Sequence, residues 1–451
     1  MIGPARVAAF RVLREVARGD AQPAAVLAHE HRQLEDPRDR ALATEIVTGT
    51  LRWQRALDAA IAGAAARPLD AIDEAVRLIL RLSLYQLLHL DRVPASAVVD
   101  DAVSLTRSAG QARATGFVNG VLRTLSRSRR QLGLPARPAA GAPRHALIEY
   151  LGIAQSHPDW LVTRWLDRYG FEHAAAWTEF NNATPALTLR ANRLVTSRDA
   201  LRRELLEESE LDTAPGRYAP DALVVSSGRL PDARGRFTIQ DESSQLVPLL
   251  LGARPGERVL DLCASPGGKA TALAAEMDGR GLIVACDARA KRMRLLAAAV
   301  RDSGAPNIRL VQVGGRDEVP FAPVFDRVIV DAPCSGLGTV RRDPDIRWRR
   351  HEADLAGFAE YQRTLLARAA RAVAPGGRLV YATCSSEPEE NEAVVDAFVA
   401  AHPGFALVNA REIDEVRLGP VTDARGMLRT LPFAHGLEAF FAAALVRRGT
   451  I

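Results

Sequence analysis

From about residue 236 onward, short apolar runs alternate with helical stretches, and that alternation leaves few folds open to the chain. Strands are expected at Arg258–Leu262, Leu282–Cys286, Ile308–Val313, Arg327–Asp331, Arg378–Ala382, Phe405–Val408 and Phe440–Val446. Helical stretches at 269–277, 290–302, 354–374 and 389–401 separate the first six. Repeated strand–helix units build a parallel sheet with helices on both faces, because each crossover must pack back onto it. The expectation for 236–451 is a doubly wound α/β domain whose seven-stranded sheet is mostly parallel.

Upstream the pattern changes. Val7, Phe10, Val12, Leu13 and Val16 recur near helical spacing, as do Leu42, Ile46, Val47 and Leu51. Val76, Ile79, Leu80, Leu84, Leu87 and Leu88 continue the pattern, so 1–135 is expected to be an all-helical domain. Asp36-Pro37 and Val93-Pro94 punctuate it. The run 127–144, rich in Arg, Pro and Ala, reads as a basic tether, solvated or in contact with RNA phosphates. A small α+β module is expected over 145–235, with Leu187–Ala191 and Ala222–Ser226 as strands. Its aromatics Trp160, Trp165, Tyr169 and Phe171 read as core rather than as base-stacking platforms.

The bulk numbers exclude several classes. The chain has 451 residues, 47% hydrophobic and 25% charged, enough to bury several cores. No apolar run reaches the roughly 18 residues of a membrane span. The four cysteines (Cys263, Cys286, Cys334, Cys384) show no zinc-type spacing, so neither a metal site nor a disulfide framework is expected. A reducing, cytoplasmic compartment follows. The N-terminus is Arg-rich, but Glu15 and Asp20 interrupt it, as suits a helix of the folded protein rather than a transit peptide. The net charge of +5 comes nearly all from arginine, which suits phosphate contacts but also reflects a GC-rich coding bias.

Four segments carry chemistry. In Asp261-Leu-Cys-Ala-Ser-Pro-Gly-Gly-Lys269 a buried strand turns through two glycines into a helix, whose free N–H groups suit a ligand. Asp287 ends the next strand, roughly 20 residues on, where an acid binds ribose hydroxyls or caps the following helix. Asp331 ends the fourth strand, and Pro333 forces an exposed turn that brings Cys334 to the crevice. Arg341 to Arg350, around Trp348, suits a nucleic-acid strand or a solvated loop. The fourth segment runs Tyr381-Ala-Thr-Cys384-Ser, and the acids at 389, 390 and 392 that follow suit a helix N-terminus. Two thiols at strand ends beside a ligand loop point to methyl transfer onto a pyrimidine through a covalent cysteine adduct.

Together these segments resemble the RNA cytosine-5 methyltransferases of the bacterial 16S ribosomal RNA type, the RsmB/Sun family. Arg38–Leu42, Gly49–Trp53 and Gly116–Arg123 are similar to its NusB-type RNA-binding domain. Ser156–Trp160 and Phe237–Gln245 are similar to its linker and to the start of its catalytic domain. The resemblance implies a Rossmann-like domain that takes S-adenosylmethionine as methyl donor, with 16S ribosomal RNA as partner and no obligate protein partner. It implies cofactor contacts from Cys263, Ala264, Ser265, Pro266, Gly267, Gly268 and Lys269, from Asp287 and from Asp331. It makes Cys384 the nucleophile, Asp331 the active-site acid and Cys334 the second cysteine, which assists release. The family usually has an Asp near the adenine where this chain has Gly314; backbone groups or Asp317 are left for that task. A DNA cytosine methyltransferase would use the Pro-Cys thiol instead, and a non-enzymatic RNA-binding factor would need neither thiol.

Overall fold

The computed structural model describes residues 2–19, 21–314 and 319–449. Contacts divide the chain into two compact units, 1–183 with 340–352, and 184–339 with 353–451.

The described residues of the first unit hold helices and no strand. Asp36 accepts the Arg38 N–H at 2.8 Å and Pro37 opens the helix Pro37–Arg52, so the Asp-Pro step is a helix start. Phe10, Leu13, Ile46, Val47, Ile79, Leu80 and Leu84 pack into one core, as their spacing predicts. Trp165 and Trp177 are fully buried and stack at 4.6 Å, which makes them core. The run 127–144 is not a free tether. Arg137 pairs with Glu172 at 2.6 Å and Glu179 at 2.9 Å, and Arg144 pairs with Asp167 at 2.5 Å. Nor does the segment around Trp348 lie open. Arg347 is fully buried and donates to the Ser156 carbonyl at 2.9 Å and to Asn182 Oδ1 at 3.0 Å. The Trp348 indole N–H donates to the Leu51 carbonyl at 2.6 Å. A guanidinium has five fixed donors, and here main-chain oxygens take the place expected for phosphates.

The second unit holds two sheets. The smaller is β1 (Thr188–Ala191), β2 (Asp212–Pro215), β3 (Ala222–Ser227) and β4 (Phe237–Ile239), antiparallel in the order β2-β3-β1-β4. The larger holds β5 (Arg258–Asp261), β6 (Leu282–Asp287), β7 (Ile308–Gln312), β8 (Phe325–Asp331), β9 (Val373–Thr383), β10 (Phe405–Val408), β11 (Leu428–Thr430) and β12 (Phe440–Arg447). The seven expected strands run in the order β10-β12-β9-β8-β5-β6-β7, and the short β11 joins β12 as an eighth. The neighbours from β9 to β7 are parallel, and β12 is antiparallel to β9 and β10. The order reverses at β5, which lies between β6 and β8, so a crevice opens at the carboxyl ends of these strands. No helix among the described residues is long and apolar enough to cross a membrane.

The β8–β9 register sets Asp331 opposite Ala382, so the turns carrying Cys334 and Cys384 leave the sheet side by side. Gly338 locks them together. Its N–H donates to the Cys384 carbonyl at 2.9 Å, and its carbonyl accepts the Ala439 N–H at 3.1 Å. A Cβ there would lie 2.0 Å from the Ala439 carbonyl oxygen and 2.8 Å from that of Cys384. Both are main-chain atoms and cannot rotate away. Gly338→Ala is therefore expected to destabilise the protein by about 1–3 kcal/mol, as overpacking does. An unfolding midpoint in urea equal to wild type would show that this approach is not tight.

Candidate active site

The glycine turn is held from several sides. The Ala264 N–H donates to the Cys286 carbonyl at 2.8 Å, and Ser265 Oγ donates to the Arg292 carbonyl at 3.0 Å. Gly267 has φ +115, and a Cβ there would meet the Ala299 Cβ at 2.9 Å, so both conformation and space call for glycine. Arg190, on β1, donates to Gln240 Oε1 at 2.6 Å, to Thr271 Oγ1 at 2.7 Å and to the Gly268 carbonyl. Its burial lowers the guanidinium pKa to about 10. The sequence pattern places Arg190 on a strand and gives it no further role; its one signal is an arginine in the alternating run Leu187–Ala191.

Lys269 begins the helix Gly268–Glu276, and its side chain crosses to the end of β8. Nζ lies 2.6 Å from Asp331 Oδ2 and 3.2 Å from Ser244 Oγ. Burial disfavours the ammonium, but Asp331 more than offsets this and the Lys269 pKa is raised. Asp261, fully buried at the end of β5, is pushed up to about 7 by burial and then by the negative charge of Asp331.

Asp287 ends β6 and splits its two oxygens. Oδ1 accepts the Arg289 N–H at 3.2 Å, so it organises the turn. Oδ2 is buried with no hydrogen-bond partner, and the nearest guanidinium, Arg292, is 3.8 Å away. A buried carboxylate oxygen without a donor fits a ligand hydroxyl. Gly314 follows β7 with no acid at that position, and Asp317 lies outside the described residues.

Cys334 and Cys384 are both half-buried, and their sulfurs are 3.2 Å apart. The Cys334 thiol is pushed well above its ordinary value, by its hydrogen bond to Cys384, by burial and by the charges of Cys384 and Glu390. Cys263 is likewise pushed up, chiefly by burial, and Cys286 rises to about 12 for the same reason. Behind the thiols stands Glu390, one of the acids expected at a helix start. It is fully buried and accepts from the Ser335 N–H at 2.8 Å, Ser335 Oγ at 2.5 Å, Ser385 Oγ at 2.5 Å and Gln362 Nε2 at 2.9 Å.

A cavity of about 650 Å3 opens beside the turn. Cys263 to Pro266, Gly268, Lys269, Ser244 and Asp331 line it. So do the apolar Leu230, Phe237, Ile239, Leu295 and Ala299. Neither Asp287 nor the two thiols are among its lining residues. The expected residues thus fall into three neighbouring groups: the turn with Lys269 and Asp331 on the cavity, Asp287 one strand over, and the thiol pair on the turns after β8 and β9.

Comparison with known proteins agrees across the chain. The profile of the 16S rRNA methyltransferase RsmB/F family matches residues 248–446. The NusB family profile matches 3–127, and that of the RsmF/B-like ferredoxin-like domain matches 157–229. The chain is 35% identical over 419 residues to the probable ribosomal RNA small subunit methyltransferase B of Bacillus subtilis, covering 91% of each. It is 34% identical over 449 residues to ribosomal RNA small subunit methyltransferase B of Pseudomonas putida, covering 98% of each. The crystal structure of PH0851 is similar over 99% of both chains, with TM-score 0.79 and 26% identity.

The Asp261 shift has a pH signature. The folded protein keeps this proton up to about 7, whereas the unfolded chain releases it near 3.8. Between those values the folded state binds more protons, so stability falls as pH rises and levels off above 7. Asp261→Asn is expected to flatten that fall, by on the order of 4 kcal/mol for a shift of this size. Urea unfolding between pH 4.5 and 8 measures it. Parallel curves for variant and wild type would contradict the assignment.

Proposed function

The chain belongs to the RsmB/F family of 16S rRNA methyltransferases, which depend on S-adenosylmethionine, and from that premise we propose that it methylates carbon 5 of a cytosine in 16S ribosomal RNA through a transient bond between Cys384 Sγ and carbon 6. The observation that carries this reading is the pair of sulfurs 3.2 Å apart, next to strand ends that carry a Lys269–Asp331 ion pair.

The donor's sites fit. Asp287 Oδ2 would take a ribose hydroxyl, and the turn Cys263 to Gly268 would hold the rest of the donor. Bound S-adenosylmethionine supplies a methyl group made electrophilic by its sulfonium. The chain's own residues do the rest. Carbon 5 of cytosine is a weak nucleophile until a thiolate adds to carbon 6. Cys384 is assigned that addition by its match to the family's Thr-Cys motif, and Cys334, pushed up first by its hydrogen bond to Cys384 and then by burial, stands beside it as the second thiol. As electrons move into the ring, Asp331 bonds the base edge and shares a proton there with Lys269, 2.6 Å away. A water molecule acting as base then takes the carbon 5 proton, the electrons of that bond restore the ring, and the carbon–sulfur bond breaks to leave Cys384 as a thiolate. The Cys334 S–H then receives the departing thiolate in a hydrogen bond. The base must be out of its stack to reach these groups.

The same reading assigns RNA contacts to the NusB-like residues 1–135 and to 145–235, catalysis to 236–451, and a cytoplasmic site of action, and it needs no metal.

Cys384→Ala is expected to lower methylation of 16S rRNA by a factor of about 10³ or more, as loss of a covalent nucleophile does. Affinity for S-adenosylmethionine should stay within about threefold, because the thiol stands on the turn after β9 and is not part of the binding turn. Labelled methyl transfer and calorimetry measure the two, and near-wild-type transfer would remove Cys384 as nucleophile. Cys334→Ala is expected to accumulate a covalent protein–RNA species, visible as a shifted gel band. If no such band forms at any time, Cys334 has no part in release.

A further inference from the structure

The sequence around each thiol repeats one feature: a serine follows each cysteine, as Cys334-Ser335 and Cys384-Ser385. Both serine hydroxyls reach the same carboxylate oxygen, Glu390 Oε2, at 2.5 Å each, and they lie 3.2 Å from one another. The other oxygen, Oε1, accepts the Ser335 N–H and Gln362 Nε2. Gln362 also donates to the Pro333 carbonyl at 3.0 Å, on the other side of Cys334. Around Cys384, Asn391 does the matching work. Its Oδ1 accepts from Thr383 Oγ1 at 2.5 Å, and its Nδ2 donates to the Ser385 carbonyl at 3.0 Å. Three of the four residues beside the thiols, Ser335, Thr383 and Ser385, are therefore tied directly to two consecutive positions, 390 and 391, and the fourth, Pro333, is tied to Glu390 through Gln362. Tyr381 fixes those positions in turn, its hydroxyl donating to the Glu390 carbonyl at 2.6 Å.

We propose that Glu390 is a positioning residue for the thiol pair: its buried carboxylate holds the two cysteine turns at the spacing that lets Cys334 bond Cys384. The catalytic meaning rests on the methyl-transfer reading above, but the geometry does not. A carboxylate suits this role better than any neutral group. Each oxygen accepts two donors, so four hydrogen bonds converge with nothing left over. Four donors also keep the charge in place within a dry interior. That charge faces Cys334 across a single residue and disfavours a thiolate there.

The test uses Glu390→Gln, which preserves size but loses the charge and half of the acceptor sites, and Ser385→Ala, which removes one donor and leaves the carboxylate. Each variant is checked for S-adenosylmethionine binding. Two readouts follow, and a fold-only role would move neither. The first is the kcat and KM for 16S rRNA. The second is the ratio of alkylation rates at Cys334 and Cys384 under limiting iodoacetamide, without RNA, read by peptide mass. In Glu390→Gln, kcat should fall about 10²-fold with KM held within about threefold, as misplacement of reacting groups does. Alkylation should shift toward Cys334. Ser385→Ala should show the same pattern, with about a tenfold loss. Should Glu390→Gln fail to fold, Ser385→Ala alone decides. Folded variants with wild-type kcat and a wild-type alkylation ratio overturn the proposal, as does loss of S-adenosylmethionine binding in both. If wild-type protein transfers no methyl group to RNA, the methyl-transfer reading fails while the alkylation contrast still judges Glu390.

Discussion

The site depends on one pairing: β8 against β9, parallel, with Asp331 opposite Ala382. A slip of one residue would turn every side chain of β9 to the other face of the sheet. The register is held where the strands are fully buried, at Val328 to Val330 and Leu379 to Thr383, because a slip would exchange the closely packed side chains on each face. From this pairing the two cysteine turns emerge as neighbours. Pro333 ends the ladder after β8, and Gly338 brings its own main chain against that of Cys384. Two sulfurs distant in sequence thereby meet at 3.2 Å without any covalent link.

Charge then makes similar groups different. Three carboxylates end parallel strands within one crevice, and each meets another environment. Asp261 is sealed in and held near neutral charge balance, with its proton kept up to about 7. Asp331 has the Lys269 ammonium at 2.6 Å. Asp287 has one oxygen spent on its own turn and one left over. The thiols divide in the same way. Cys263 and Cys286 are raised mainly by burial, which leaves them inert. Cys334 is raised first by its partner sulfur. Identical side chains acquire separate tasks through their neighbours alone.

Much of this was legible in the residues. Buried parallel strands announce themselves as continuous apolar runs, so the sheet could be read strand by strand, and paired prolines, glycines and cysteines at strand ends marked the crevice. The short β11 escaped because three residues give no period to detect. Glu390 was hidden for a different reason. An acid near a helix start already has a sufficient local role, and nothing in the sequence tells that two remote serines will converge on it. Arg347 and Trp348 misled in the opposite direction. Arginines around a tryptophan look like a nucleic-acid surface, yet this pair spends its donors on main-chain carbonyls. Composition records which donors exist, while only the fold decides which acceptors they meet.

The same logic explains why the small sheet belongs to the site. Arg190 leaves β1 and grips Gln240, just past β4, together with the Gly268 carbonyl at the start of the helix Gly268–Glu276. Gln240 Nε2 donates to Ser244 Oγ at 3.1 Å, and Ser244 Oγ lies 3.2 Å from Lys269 Nζ. Lys269 in turn holds Asp331. A continuous polar chain thus runs from the small sheet to the carboxyl end of β8. Its members are buried or half-buried, where each hydrogen bond polarises the next and an unpaired group is costly. Shifting β1 would strip the Gly268 carbonyl and Gln240 of their donor and loosen the ammonium that neutralises Asp331. The residues ahead of the α/β fold therefore set the electrostatics of its crevice as directly as the strands that form it.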